Sequence, residues 1–293
     1  MIKWYWYVLK PFKKNSYFGR FNEKLNYENF KKKNWHDQLQ ISFKSDNNYS
    51  TKKKFFERYF QHEYISYVKY LKKNVDKNKK ILSIGSGRGI AELKLIQEGY
   101  NITLSDIDYP SGLKDLKRTF KKIKYIKFNI FKEKLKNKYD YIICLNLIYA
   151  FDKKKLENFF KKIEKVLKKD GILIISPGGS TLNISKLIYN NIYLPVETFF
   201  LYIYFLFTNK RFSYYRFHNG YIHSDQNIIS AARKKNYYLT KKIVRSDNLT
   251  EFQTSKVIWL LIKKSLFFKW LFGLLGKSIP YVNFFCFKKI NNK

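Results

Sequence analysis

Short apolar runs alternate with amphipathic segments through the middle of the chain. The runs have the length of buried strands, while the segments between them carry apolar residues at the three- and four-residue steps of a helix. The predicted strands cover residues 81–84, 101–105, 125–128, 141–145 and 172–175. The predicted helices cover residues 52–75, 91–97, 114–122 and 153–167. This order predicts a mostly parallel sheet with helices on both faces, the doubly wound α/β class.

Later segments extend the pattern. Residues 238–244 and 281–287 predict two more strands, which brings the sheet to seven. Asp152 and Ser224 each precede a helical segment, and both are residue types that cap a helix N-terminus. Residues 169–171, Lys-Asp-Gly, predict a turn before the fifth strand.

The flanking regions differ from this core in composition. Residues 1–50 are basic and aromatic without a clear period, and we treat them as an N-terminal extension. Residues 51–245 form the predicted core. Residues 246–293 combine an apolar helical insertion with the last strand, which completes the core. With the apolar block 193–207, this predicts aromatic-rich helical insertions in the C-terminal half.

The formal charge of +37 suggests nucleic acid or an anionic membrane as a partner. Lysine is scattered along the chain and far outnumbers arginine, and Asn, Ile, Tyr and Phe are also abundant, as AT-rich coding produces. Both explanations stay open, although the scatter makes nucleic acid the weaker one. The two cysteines, Cys144 and Cys286, lie in apolar strands without metal-ligand spacing, which favours a reduced, cytoplasmic location.

The first predicted strand runs into the glycine-rich segment "ILSIGSGRG". Gly85, Gly87 and Gly89 permit a sharp turn and a close approach of the backbone to a ligand. The helix that follows presents unpaired N–H groups, which favour a negatively charged ligand group. Position 90 is Ile90, so the spacing departs from the dinucleotide fingerprint G-x-G-x-x-G.

Polar side chains follow the next predicted strands. Asp106 ends the second strand, where a carboxylate can accept hydrogen bonds from both ribose hydroxyls. Asn129 follows the third strand and Asn146 the fourth. Ligands of open α/β sheets bind at the carboxyl ends of the strands, so these residues outline a nucleotide-type site.

From about residue 79 to 176 the chain resembles the class I S-adenosylmethionine-dependent methyltransferases. The resemblance is carried by "ILSIGSGRG", "ITLSD", "KFNI", "YDYIICLNLIYAFD" and "VLKKDGILIIS" in that order, and is thinner over 224–244. It implies that S-adenosylmethionine is the cofactor. No grouping of His, Cys, Asp and Glu in the sequence has metal-ligand spacing, so we expect no metal. The implied cofactor-binding residues are Gly85, Ser86, Gly87 and Gly89 at the methionine part, Asp106 at the ribose, Ile107, Asn129 and Ile130 at the adenine, and Asn146 beside the methionine end.

The chain also departs from that family. Members often carry an acidic residue two positions before the first glycine, where this chain has Ser83, so a contact to the cofactor's amino group is either lost or made by a hydroxyl. Asn129 stands where Asp is usual, and its carbonyl oxygen can still meet the adenine amino group. Tyr149-Ala150 replaces a frequent Glu-His pair.

Methyl transfer from a sulfonium is an in-line displacement, which needs an oriented acceptor and, for some acceptors, a general base. The candidate catalytic residues are His218, His223 and Tyr149. Each has a structural alternative, in a loop, a cap or the core. The chain lacks the Asp/Asn-Pro-Pro-aromatic motif of base amino methylation and a Pro-Cys pair for attack on a pyrimidine.

The apolar blocks 193–207 and 257–277 exceed what a sheet-and-helix enzyme needs. Their aromatic, leucine and basic residues suit a helix in a membrane interface, and a lid or a dimer face is the alternative. Either favours a small-molecule or lipid-linked acceptor with an apolar part. Two further hypotheses stay open: an RNA methyltransferase, and a non-catalytic cofactor-binding or membrane-attached relative.

Overall fold

The structure is a computed structural model. It describes residues 2–11, 15–18, 23–26, 51–59, 62–110, 113–177, 192, 194–208, 212–245, 264–268, 270–271 and 282–290. Its strands are β1 Ile2–Pro11, β2 Asn15–Phe18, β3 Glu23–Asn26, β4 Ile81–Ile84, β5 Ile102–Asp106, β6 Lys124–Lys127, β7 Tyr139–Leu145, β8 Leu167–Ser176, β9 Phe212–Ile222, β10 Tyr237–Arg245 and β11 Val282–Lys289. Its helices are α1 Lys52–Tyr59, α2 His62–Asn74, α3 Ile90–Gln97, α4 Leu113–Thr119, α5 Lys153–Ile163, α6 Leu194–Phe207 and α7 Asp225–Arg233, with a 3₁₀ helix at Ile148–Ala150.

Seven strands form one sheet in the order β10-β11-β8-β7-β4-β5-β6. Neighbouring strands from β8 to β6 pair in parallel, and β11 runs antiparallel to both β8 and β10. The predicted doubly wound, mostly parallel sheet of seven strands is therefore confirmed. Because the parallel strands share one direction, β4, β5, β6 and β7 all end at the same edge.

Each face of the sheet packs against its own layer of helices. Side chains alternate between the faces along a strand, so Ile143 of β7 joins one hydrophobic cluster while Ile142 and Cys144 join the other. The first cluster includes residues of α2, α3 and α4, and the second includes residues of α5 and α7. Burial of both faces explains why the central strands are almost wholly apolar.

Two predicted helix caps are present. The side chain of Asp152 accepts a hydrogen bond from the amide of Lys155 at 2.8 Å, and Ser224 accepts one from Asn227 at 3.2 Å. Of the helix predicted over 52–75, the structure describes Lys52–Tyr59 and His62–Asn74 as helical, and residues 60–61 lie outside the described residues.

The turn predicted at residues 169–171 is wrong, because β8 runs through it. The register of β8 against β7 shifts between Tyr139 and Tyr141, so the strand bulges and continues. Gly171 permits the bulge: a Cβ there would lie 2.6 Å from Leu167 Cδ1. Charged residues 168–170 face solvent, which is why they resemble a turn in sequence.

The N-terminal extension contains the strands β1, β2 and β3. β1 pairs antiparallel with β9 along its whole length, from Ile2 opposite Ile222 to Pro11 opposite Phe212. β2 and β3 pair with each other as a two-stranded sheet. Neither β1 nor β9 is anticipated by the sequence pattern.

Helix α6 confirms that the first apolar block is helical, and it packs against β1. Many of its apolar side chains face solvent, and Phe207 is 85% exposed. Leu266, Phe267 and Trp270 of the second block are exposed too. Within the described residues, no helix combines the length and apolar character needed to cross a bilayer.

Candidate cofactor and active site

The glycine loop joins β4 to α3 with a backbone that only glycine adopts easily. Gly85, Gly87 and Gly89 have positive φ angles of 69°, 52° and 66°. A Cβ on Gly85 would lie 2.7 Å from Leu147 Cδ1, whereas a Cβ on Gly87 would meet nothing within 4 Å. The loop is thus packed on one side and open at Gly87, as a cradle for a ligand must be.

Asp106 ends β5 beside this loop. One carboxylate oxygen accepts a hydrogen bond from the amide of Gly87 at 2.8 Å, and the other accepts from the amide of Ile107 at 2.7 Å. An ionised carboxylate has about four acceptor positions and can accept from a ligand hydroxyl as well as from backbone amides. Ile107, next to it, is 53% exposed and offers an apolar surface at the same edge.

Asn129 and Ile130 follow β6 at the same edge of the sheet as the glycine loop and Asp106. Asn129 is half-buried, and its Oδ1 accepts a hydrogen bond from the amide of Phe131 at 3.0 Å. The amide of Asn129 donates to Glu133 at 3.0 Å, while Ile130 is buried. The oxygen that the resemblance assigns to adenine therefore also holds its own turn, with one lone pair left.

Asn146 follows β7 in a left-handed conformation with φ of 54°. Its amide donates to the carbonyl of Ser176 at 2.8 Å. Its Oδ1 accepts from the hydroxyl of Tyr67 at 2.8 Å, which ties buried Tyr67 of α2 to the end of the fourth parallel strand. The structure thus brings all the predicted cofactor residues to one edge of the sheet.

A family model described as a methyltransferase domain matches residues 56–216, which is more than half of the chain. The chain belongs to this methyltransferase family. A search of the curated proteins finds no match.

Solved structures share the fold of this methyltransferase. A cyclopropane synthase from Mycobacterium tuberculosis is 14% identical, with a TM-score of 0.54 over 87% of this chain and 99% of that one. Geranyl diphosphate C-methyltransferase from Streptomyces coelicolor, in complex with Mg²⁺, geranyl diphosphate and S-adenosyl-L-homocysteine, is 11% identical with a TM-score of 0.52 over 84% and 85%. Magnesium protoporphyrin IX methyltransferase from Synechocystis, with bound S-adenosylhomocysteine, is 14% identical with a TM-score of 0.50 over 79% and 84%.

The enzyme is an S-adenosylmethionine-dependent methyltransferase, and its residues fit that cofactor. Open space at Gly87, a carboxylate at Asp106 and the exposed side chain of Ile107 match a ligand with a polar chain, a ribose and a flat base. Among the described residues, no group of three or more His, Cys, Asp or Glu side chains is arranged to hold a metal ion.

Tyr149 lies in the 3₁₀ helix that follows β7. Burial, together with the nearby charge of Asp106, raises the pKa of its hydroxyl to about 12. At neutral pH the group is therefore protonated and suited to donating a hydrogen bond. Strand β9 passes so close that a Cβ on Gly220 would clash with the carbonyl oxygen of Tyr149.

The two candidate histidines differ in how they are placed. His223 is buried, and its Nε2 lies 3.1 Å from the carbonyl oxygen of Ile148 and 3.0 Å from that of Phe151. Two acceptors at one nitrogen require Nε2 to carry the proton, which favours a role in holding the 3₁₀ helix. His218 lies in β9 opposite Tyr5, and its side chain is outside the described residues. Catalysis by either histidine stays a prediction.

Three side chains around the glycine loop are not predicted from the sequence. Tyr67 contacts Asn146 as described, and the hydroxyl of Tyr125 donates to the carbonyl of Gly87 at 2.7 Å. Buried Glu92 accepts a hydrogen bond from Ser83. Tyr67 and Tyr125 sit at apolar-patterned positions where tyrosine resembles a core residue, so sequence offers no signal for them. Glu92, an acidic residue within an apolar run, was detectable.

We expect His223 to make stability depend on pH. Burial lowers the pKa of His223 below its usual value, so the unfolded chain binds the proton more readily, and stability is lost as pH falls through the folded-state pKa. His223→Ala leaves two buried carbonyls without their donor and should cost about 1–3 kcal/mol near pH 8. The difference in free energy of unfolding between wild type and His223→Ala should be smaller at about pH 5, where the unfolded chain binds the extra proton.

Urea unfolding at both pH values measures this gap. His223→Gln is the matched control, because its amide can still donate but cannot titrate. A pH dependence of the same size in all three proteins would contradict the expectation.

Proposed function

We propose that this methyltransferase transfers a methyl group to a small or lipid-linked acceptor that has an apolar part. The observation that carries the proposal is the placement of α6. This apolar, exposed helix packs on β1, β1 pairs with β9, and β9 contacts the 3₁₀ helix that holds Tyr149. A series of contacts thereby links an apolar surface to Tyr149, beside which we place the acceptor. Binding of a hydrophobic acceptor there is favoured because its apolar surface leaves water.

The same proposal assigns the cofactor contacts. Asp106 holds the ribose hydroxyls, the open face at Gly87 accommodates the methionine chain, and Ile107 packs on the adenine. Asn129 and Ile130 bound the adenine. Asn146, fixed by Tyr67, lies beside the methionine end.

When bound, S-adenosylmethionine supplies an electrophilic methyl group on a sulfonium. The chain's own task is to hold the acceptor in line with that group and to exclude water. Tyr149, protonated at neutral pH, orients the acceptor by donating a hydrogen bond. His218 is the candidate base for an acceptor that must lose a proton.

Replacing Asp106 tests the cofactor site. Asp106→Ala removes the acceptor for the Gly87 amide and for the ribose, and should weaken S-adenosylmethionine binding about tenfold or more, since hydrogen bonds to charged groups contribute about 1.5–3 kcal/mol each. Isothermal titration measures the affinity. Asp108→Ala is the matched control, because Asp108 is exposed, pairs with Lys127 and carries the same charge two residues away. Equal affinity of the two variants would refute the assignment.

The acceptor class is tested by following the methyl group. Purified enzyme, methyl-labelled S-adenosylmethionine and a total extract of host cells are incubated, and label is measured in the organic phase, the aqueous small-molecule fraction and RNA. We expect the organic phase to gain label with wild type and not with Asp106→Ala. Label confined to RNA would replace this proposal with the nucleic-acid alternative, and no label in any fraction would favour a non-catalytic relative.

We also propose that the enzyme is cytoplasmic and rests peripherally on an anionic lipid surface. Exposed aromatic side chains on α6 and at Phe267 and Trp270 provide apolar contacts, and the formal charge of +37 complements anionic headgroups. Apolar insertion together with electrostatic attraction is how interfacial helices bind. The contact surface lies within the predicted blocks 193–207 and 257–277.

Vesicle co-sedimentation tests this contact. Wild type should pellet with vesicles of phosphatidylcholine and phosphatidylglycerol, and less with phosphatidylcholine alone. Replacing Phe200 and Phe207 of α6 with Ser should release most of the protein, whereas Tyr238→Ser, at an exposed aromatic residue of β10, should not. Recovery of all wild-type protein in the supernatant with the anionic vesicles would exclude the contact.

A further inference from the structure

A carboxylate is buried directly behind the glycine loop. Glu92 lies in the first turn of α3, the helix that begins immediately after Gly89, and is only 3% exposed. The hydroxyl of Ser83, on buried strand β4, donates to its Oε1 at 2.6 Å. Helix and strand are thus joined beneath the loop by a polar pair inside an otherwise apolar layer.

Hydrogen bonds connect the Ser83–Glu92 pair to the glycine loop. The carbonyl of Ser83 accepts from the hydroxyl of Ser105 at 2.7 Å, and the carbonyl of Ser105 accepts from the amide of Ser86 at 3.0 Å. The charge of Glu92 also contributes to raising the pKa of Tyr125, whose hydroxyl bonds the carbonyl of Gly87. The buried carboxylate is thus linked to the loop backbone through Ser83, Ser105 and Ser86.

Burying this carboxylate is costly. Its pKa is raised by burial, and an ionised group in a dry interior needs a partner of opposite charge. Among the described residues, no basic side chain forms an ion pair with Glu92. A carboxylate buried without an ion-pair partner costs stability, so its position calls for a role besides packing.

We propose that Glu92, held by Ser83, supplies the negative charge that attracts the α-ammonium group of the cofactor's methionine. Position 83 is where similar enzymes often carry an acidic residue on the strand. In this chain the carboxylate instead comes from the helix opposite, and the serine hydroxyl links it to the strand. Glu92 is a binding residue, Ser83 is a positioning residue, and the assignment rests on the use of S-adenosylmethionine.

Two ligands separate the ammonium from the rest of the cofactor. S-adenosylhomocysteine carries the amino-acid end without the sulfonium, and methylthioadenosine keeps the adenosine and thioether but lacks the amino-acid end. For Glu92→Gln, we expect the affinity for S-adenosylhomocysteine to fall about tenfold or more, as for loss of a charge-assisted contact, and that for methylthioadenosine to stay within about twofold. Isothermal titration of the full chain measures both.

Two further variants sharpen the test. Glu98→Gln removes a carboxylate that pairs with Lys72 just after the same helix, and should change neither affinity. Ser83→Asp in the Glu92→Gln background returns a carboxylate to the pair and should recover most of the lost affinity. Methylthioadenosine binding also reports that the adenosine half of each variant is folded.

The outcomes are distinct. An equal loss for both ligands, or no loss for either, overturns the role of Glu92. Failure of wild type to bind S-adenosylhomocysteine at all would instead overturn the cofactor assignment on which the role rests. A selective loss with recovery in the double variant supports the proposal.

Discussion

The hydrogen bond from the Gly87 amide to the Asp106 carboxylate is the interaction on which the site depends. It joins the glycine loop after β4 to the end of β5, two elements that meet only because their strands pair in parallel. Together with the bond from the Ser86 amide to the Ser105 carbonyl it sets the position of the loop above the sheet, and together with the bond from the Ile107 amide it orients the carboxylate. The bond is charge-assisted and half-buried, so it is stronger than an ordinary amide contact.

Local signals are what made much of this structure predictable. The glycine spacing, Asp106, and the caps at Asp152 and Ser224 each involve residues within a few positions of one another, where side-chain chemistry dictates the backbone. The order of strands and helices follows from periodicity, and a doubly wound sheet is the arrangement that buries both faces of such strands. The structure therefore has the glycine loop and Asp106 at the carboxyl ends of the parallel strands, as the sequence predicts.

Contacts between distant segments were beyond sequence reasoning. The pairing of β1 with β9 joins Ile2–Pro11 to Phe212–Ile222, segments that lie far apart along the chain, and neither sequence alternates cleanly between apolar and polar residues. The bond between Tyr67 and Asn146 depends on how α2 crosses the sheet, which no local pattern encodes. The turn expected at residues 169–171 failed for a related reason: exposed charges are common to turns and to a solvated bulge.

The position of β11 constrains how the sheet can assemble. This strand is made after β10, yet it lies between β8 and β10 and pairs with both. It also packs against α2, where Phe284 of β11 stacks on Tyr70 with ring centroids 3.9 Å apart. During synthesis the edges of β8 and β10 thus stay unpaired until this late segment arrives, and an unpaired edge is open to the wrong partner. A nascent chain of this enzyme therefore exposes two strand edges that a chaperone could shield until β11 is inserted.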